Sequence, residues 1–151
     1  MRIPFVLLGI LIVSCSSSVT ETSSTADPQV VFRGVSGCYR VQTENPVAAD
    51  VSLPTLIELS YEPAPLFVDP GPRLAVKEPG TRQAKAPISW WAPGAAGSLD
   101  LVLGGGYTGY SFSLQSAGGG RWAGRGSYFA DIGVDPMPPP LPLRLSPLRC
   151  Q

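Results

Sequence analysis

Apolar and polar side chains alternate with a period of two along most of this chain, and the pattern restarts after each cluster of glycine or proline. Tyr39 and Val41 alternate with Arg40 and Gln42, and Ile57, Leu59 and Tyr61 with Glu58, Ser60 and Glu62. Leu74 and Val76 oppose Arg73 and Lys77, and Leu99, Leu101 and Leu103 face away from Asp100. Tyr110, Phe112 and Leu114 oppose Ser111, Ser113 and Gln115, the cleanest run of all, and Leu141, Leu143 and Leu145 flank Arg144. Successive residues of a strand leave opposite faces, so this period yields one buried and one wet surface only in a β-sheet. Ile88–Trp91 and Trp122–Phe129 read as two further strands, and no segment of helix length carries a helical period.

The connections suit hairpins. Gly104-Gly105-Gly106 and Gly118-Gly119-Gly120 supply the left-handed backbone that tight turns need. The segments Glu62–Pro72 and Asp135–Pro142 are rich in proline, which donates no ladder hydrogen bond and marks edges or loops. Evenly spaced strands fit a sandwich or a barrel. Sequential hairpins and few charges favour a closed barrel, which leaves no exposed edge. The expectation is therefore an all-β domain over residues 35–151: a small antiparallel up-and-down barrel of six to eight strands.

The first residues are of another kind. Met1-Arg2 gives a positive start, Ile3 to Val13 is an apolar run, and Ser14-Cys15 follows. That is the layout of a secretory signal. The run has about eleven residues against the roughly 20 that span a bilayer as a helix. Ile12-Val13-Ser14-Cys15 resembles the bacterial lipobox. The resemblance implies a signal peptide over 1–14, removal before Cys15, and diacylglycerol on the cysteine sulfur. Ser16, rather than aspartate, in the second mature position implies delivery to the outer membrane where an organism has two. Residues 15–34, small and polar around Ser16-Ser17-Ser18 and Thr20–Thr25, read as a flexible tether between lipid and domain. The localisation expected is the cell envelope, by a lipid anchor in the membrane.

An exported chain meets an oxidising compartment, and with Cys15 on lipid the other two of the three cysteines form an even pair. A Cys38–Cys150 disulfide is expected, joining the first strand to the last residues. Charge excludes one class of partner: eleven basic residues balance eleven acidic ones without a basic run, so nothing draws the chain to nucleic acid.

Gly37-Cys38-Tyr39, opening the first strand, looks like the G-x-W motif of the lipocalins and their calycin relatives, with tyrosine where the family has tryptophan. Lipocalins also carry an arginine near the end of the last strand that packs over that aromatic, and Arg144 or Arg149 would be its counterpart. The likeness implies a lumen for a small apolar ligand, lined or lidded by Tyr39, Trp90 or Trp91, Phe112 and Arg144. Small barrels are also filled by their own side chains. Gly124 and Gly126 would either leave spare volume or let a neighbouring strand approach closely.

Catalytic constellations are sparse. The absence of histidine removes every His-dependent triad and base, and with two cysteines left makes a zinc site unfavourable. Lys77 and Lys85 lie in no Ser-x-x-Lys setting. Asp131 and Asp135 bracket a glycine, fewer oxygens than calcium takes, and read as a solvated turn. Gly104–Gly109 lacks the Gly-Lys-Ser/Thr and the helix of a phosphate loop. Trp90 and Trp91 point to opposite faces, so one ring should enter the barrel and its neighbour meet solvent or a partner. Trp122, Tyr128 and Phe129 extend that aromatic surface. The reading is a non-enzymatic, cofactor-free binding domain on a membrane anchor, for a small apolar ligand. The alternative is a structural or assembly protein of the envelope that works through protein contacts.

Overall fold

A computed structural model describes residues 34–45, 47–48, 50–64, 73–80, 89–105, 107–131, 133 and 136–150. Cys15 and tether residues 15–33 lie outside the described residues. Eight strands follow one another: β1 (Gly37–Thr43), β2 (Leu56–Pro63), β3 (Leu74–Lys77), β4 (Trp90–Pro93), β5 (Leu99–Gly104), β6 (Thr108–Gly118), β7 (Arg121–Ala130) and β8 (Leu141–Leu148). Each pairs antiparallel with the next and β8 pairs with β1, so the sheet is a closed up-and-down barrel. Its ladder is complete within residues 37–148 and draws on no outside strand.

One set of positions can be followed from strand to strand. Tyr39 stands opposite Ile57 and Pro147, Trp91 opposite Leu74 and Leu101, and Phe112 opposite Leu101 and Gly126. Pro147 is exposed at the end of the barrel; the rest of this set faces inward, and its large members make a single core. The disulfide bridges Cys38 and Cys150, with Cα atoms 5.3 Å apart, on the outside of the seam between β1 and β8.

Two local irregularities have sequence causes. A bulge in β2 between Leu59 and Pro63 turns the Ser60 carbonyl inward, where the Trp91 Nε1–H donates to it at 2.9 Å. Pro142 and Pro147 both lie inside β8, a strand flanked on both sides. Pro142 pairs with Arg125 of β7 but stands one step beyond the last β1 partner, and Pro147 pairs with Tyr39 beyond the last β7 partner. Each proline thus sits where only one neighbouring strand remains, so its missing N–H breaks no two-sided ladder.

The chain enters and leaves at the same end of the barrel. By topology β2 and β3, β4 and β5, and β6 and β7 are joined at that entry end, while β1 and β2, β3 and β4, β5 and β6, and β7 and β8 are joined at the far end.

Candidate functional site

Three of the residues expected to line a lumen are in the core. Tyr39, Trp91 and Phe112 keep 3%, 0% and 1% of their surface, and Ile57, Leu59, Leu101, Leu114, Leu143 and Leu145 are as deeply enclosed. A lumen with room for even one water molecule would leave accessible surface on its lining, so around these rings the space is filled by side chains. The strand-seven glycines serve close approach rather than spare volume. A Cβ on Gly126 would lie 2.6 Å from Cε1 of the Phe112 ring, and one on Gly124 would strike the Ser113 carbonyl. Gly126→Ala is therefore expected to cost about 1–3 kcal/mol by overpacking. Phe112→Leu should recover part of that loss when combined with it. Urea denaturation of the two single variants and the double variant measures the coupling.

Trp90 and Arg144 belong to the outer surface. Trp90 is half-buried on β4, with the Arg73 guanidinium 4.5 Å from its ring centroid. Arg144 faces Gln42 across the β1–β8 seam and bonds Glu44 at 2.6 Å, with 65% of its side chain exposed. It does not cover Tyr39, whose β8 partner is Pro147. Arg149, the other candidate, is exposed beyond the end of β8. The Tyr39 hydroxyl instead donates to the Val35 carbonyl at 2.7 Å. Burial pushes its pKa up, partly offset by the Trp122 indole N–H, which faces that oxygen without reaching hydrogen-bond geometry.

At the far end the β1–β2 connection lies across the barrel mouth. Val51 is buried and Val47, Ala48 and Leu53 pack on the core. Two tyrosines pin this segment: the Ala48 N–H donates to Tyr110 Oη at 3.3 Å, and Tyr128 donates to Asp50 Oδ2 at 2.5 Å. The rings of Tyr110 and Tyr128 meet edge to face, 5.6 Å between centroids. Bonding to the Asp50 carboxylate raises the Tyr128 phenol from 10.0 to about 12. An unfolded tyrosine loses its proton near pH 10, whereas Tyr128 in the native state keeps its own, so stability must fall as pH rises through that interval. Tyr39 adds to the fall in the same direction. Tm measured from pH 8 to 12 should decline, and Tyr128→Phe should make the alkaline slope shallower. An unchanged slope would remove the Tyr128–Asp50 bond from the account.

Beside that mouth stands the most exposed aromatic residue among the described residues. Tyr107 keeps 75% of its surface, and Met137 on the β7–β8 connection keeps 59%. The Asp131 N–H donates to the Tyr107 carbonyl at 3.2 Å, tying the two connections together. Residues 136–140 read Pro-Met-Pro-Pro-Pro and, Pro138 apart, are exposed. Proline fixes its own φ and pushes its predecessor to an extended conformation, so this sequence favours polyproline II. It leads into β8, whose ladder with β7 begins at the Gly126–Leu141 pair. Such a segment offers carbonyl acceptors and apolar rings with almost no donors. Sequence reasoning marked this segment only as a loop: the signal was its three consecutive prolines, but the exposure of Tyr107 and Met137 beside them has no periodic signature.

Among the described residues no group of three or more His, Cys, Asp or Glu side chains is arranged to hold a metal ion. Lys77, buried on the outer face of β3, forms an ion pair with Glu62 at 2.6 Å and stands opposite Glu58. No family model, curated protein or solved structure matches this chain.

Proposed function

We propose that this chain is a membrane-anchored envelope lipoprotein whose non-enzymatic barrel works through protein contacts at the end farthest from its tether. The observation that carries this reading is the filled interior. With Tyr39, Trp91 and Phe112 enclosed at 3% or less, recognition falls to the surface. The lipobox-like Ile12–Cys15 and the polar tether supply the anchor. Where an organism has two membranes, Ser16 favours the outer one, with the barrel in the periplasm. β1 begins at the entry end, so Tyr107, Met137 and the prolines lie at the opposite end of the barrel from its first strand residue. Exposed aromatic and methionine side chains are enriched in protein interfaces. A partner for the prolines has to bring hydrogen-bond donors and flat aromatic rings, the complement of a polyproline segment.

Two measurements test the two halves. The mass of the mature N-terminal peptide should equal cysteine 15 with its diacylglycerol, and Cys15→Ala should abolish both processing and membrane retention. A Cys15→Ala protein that is still cut and still held at the membrane would leave Cys15 without a role. A photo-crosslinking residue at position 107 or 137, introduced in the producing cell, should form a discrete adduct that is absent with the probe at Gln115 on the barrel wall. Adducts of equal yield from all three positions, or none from 107 and 137, would overturn the contact surface.

A further inference from the structure

The chain does not run straight into β1. Gly37, the first residue of that strand, pairs with Leu59 and has φ at +144°, a conformation that L side chains rarely adopt. The backbone turns at this glycine, and the residues before it fold onto the entry end of the barrel. Gly34 is exposed and Ser36 half-buried, but Val35 keeps only 8% of its surface and belongs to the core cluster. The Val35 carbonyl accepts the Tyr39 hydroxyl at 2.7 Å. One aliphatic side chain and one peptide carbonyl thus help to close this mouth, as Val51 and its neighbours help to close the other.

That closure leaves a polar group unmatched. Trp122 comes from the start of β7 at the same end and packs, partly buried, on the core. Its Nε1 is buried, faces the Tyr39 oxygen without bonding to it, and has no acceptor among the described residues. A buried donor without an acceptor costs more than an average hydrogen bond contributes. Two donors, the Tyr39 hydroxyl and the Trp122 indole N–H, therefore meet at the mouth, and Val35 satisfies one of them.

We infer that residues 34–36 are a displaceable latch, hinged at Gly37, over a site for an extended aliphatic peptide segment of another protein. In the open state Tyr39 and Trp122 donate to carbonyls of that segment, and one of its aliphatic side chains takes the place of Val35. The chemistry of the guest is set by what the mouth already holds, a peptide carbonyl with an aliphatic side chain beside it. A peptide offers a carbonyl on each side of such a side chain, one for each donor, whereas the latch satisfies a single donor. This site goes beyond the far-end contact surface, stands at the opposite end of the barrel, and depends on no lipid at Cys15.

The test uses the chain from residue 16, which carries the whole closed barrel, with its three tryptophans labelled with nitrogen-15. The probe is N-acetylvaline amide, an aliphatic side chain between two carbonyls. Exchange of the Trp122 indole proton with solvent should rise at least ~10-fold in Val35→Gly, which deletes the buried side chain. It should rise about fivefold in Tyr39→Phe, which deletes one hydrogen bond. The Trp91 indole, bonded to Ser60 inside the barrel, should stay as protected as in the parent and so report an intact fold. In both variants the probe should move the Trp122 indole proton downfield and slow its exchange. Its affinity for the parent should be weaker in the same proportion as exchange is slower, because both read the open fraction. Trp122 exchange unchanged in both variants would overturn the latch. A probe that leaves the Trp122 signal in place, or moves Trp91 equally, would overturn the site. If Trp91 loses protection in Val35→Gly, Tyr39→Phe, which removes a single oxygen, carries both arms of the test. Crosslinking from positions 107 and 137 is read separately, so the two contact surfaces fail independently.

Discussion

Replacing Cys38 and Cys150 together by alanine should lower Tm by about 15 °C. The bridge closes a loop of 112 residues, nearly the whole domain. In the chain-entropy model a loop of about 100 residues is worth about 4.7 kcal/mol, arising chiefly from the restricted unfolded chain. A domain of this size loses roughly 3–5 °C per kcal/mol. The native contribution is local: Cys38 is 4% exposed on the outer face of β1, beside the last turn of β8. Six residue pairs between β1 and β8 hold the seam without it. The variant should therefore still fold, with the same far-ultraviolet spectrum and a lower Tm. Thermal unfolding of the parent in reductant should give the same shift. A fall of less than about 5 °C would show that the β1–β8 ladder restricts the chain unaided, through structure retained in the unfolded state.

The closed barrel was legible because its determinant is local. Tyr110, Phe112 and Leu114 alternate with serine and glutamine, and any strand with that sequence presents one apolar face. Eight such faces, following one another in sequence, have few arrangements other than closure. The cysteine pair followed from arithmetic once Cys15 was set aside, and the structure bears out both the barrel and the bridge. Period two also separated Trp90 from Trp91, although it did not say which would go inside. That choice depends on register across strands: Trp91 stands opposite Leu74 and Leu101, both of the inward set. The β2 bulge was hidden for a related reason. Ser60 reads as an outward polar residue, and nothing local says that its carbonyl is reserved for an indole 31 residues away. The candidate ligand set divided because a motif resemblance carries no register. Arg144 lies too far along β8 to reach Tyr39, and Glu44 takes its charge instead. The far mouth was the least legible part, since Asp50, Tyr107 and Met137 sit in connections whose conformation is set by what they pack on.

Trp91→Ala should cost about 3–5 kcal/mol, the range for deleting a large buried ring. It is the largest wholly enclosed side chain and lies at the meeting of β2, β4 and β5. Two losses act at once. The packing contacts of the indole with its neighbours, Tyr61 among them at 6.3 Å between centroids, are removed. The Ser60 carbonyl also loses its donor inside the bulge, where water enters only if the barrel opens. Trp90→Ala, one residue away on the outer wall, should cost on the order of 1 kcal/mol, since it gives up one partly exposed cation–π contact and a half-buried ring. Urea denaturation of the pair gives the contrast directly. The same variant also separates a filled barrel from a ligand carrier. Removing an indole from a sealed apolar core leaves a dry cavity of the kind that takes up benzene or xenon. If the parent interior is filled, such probes should raise the Tm of Trp91→Ala and leave the parent unmoved. If the parent rises equally, it has apolar space of its own, and an interior ligand would displace protein contact as the better reading of what this barrel does.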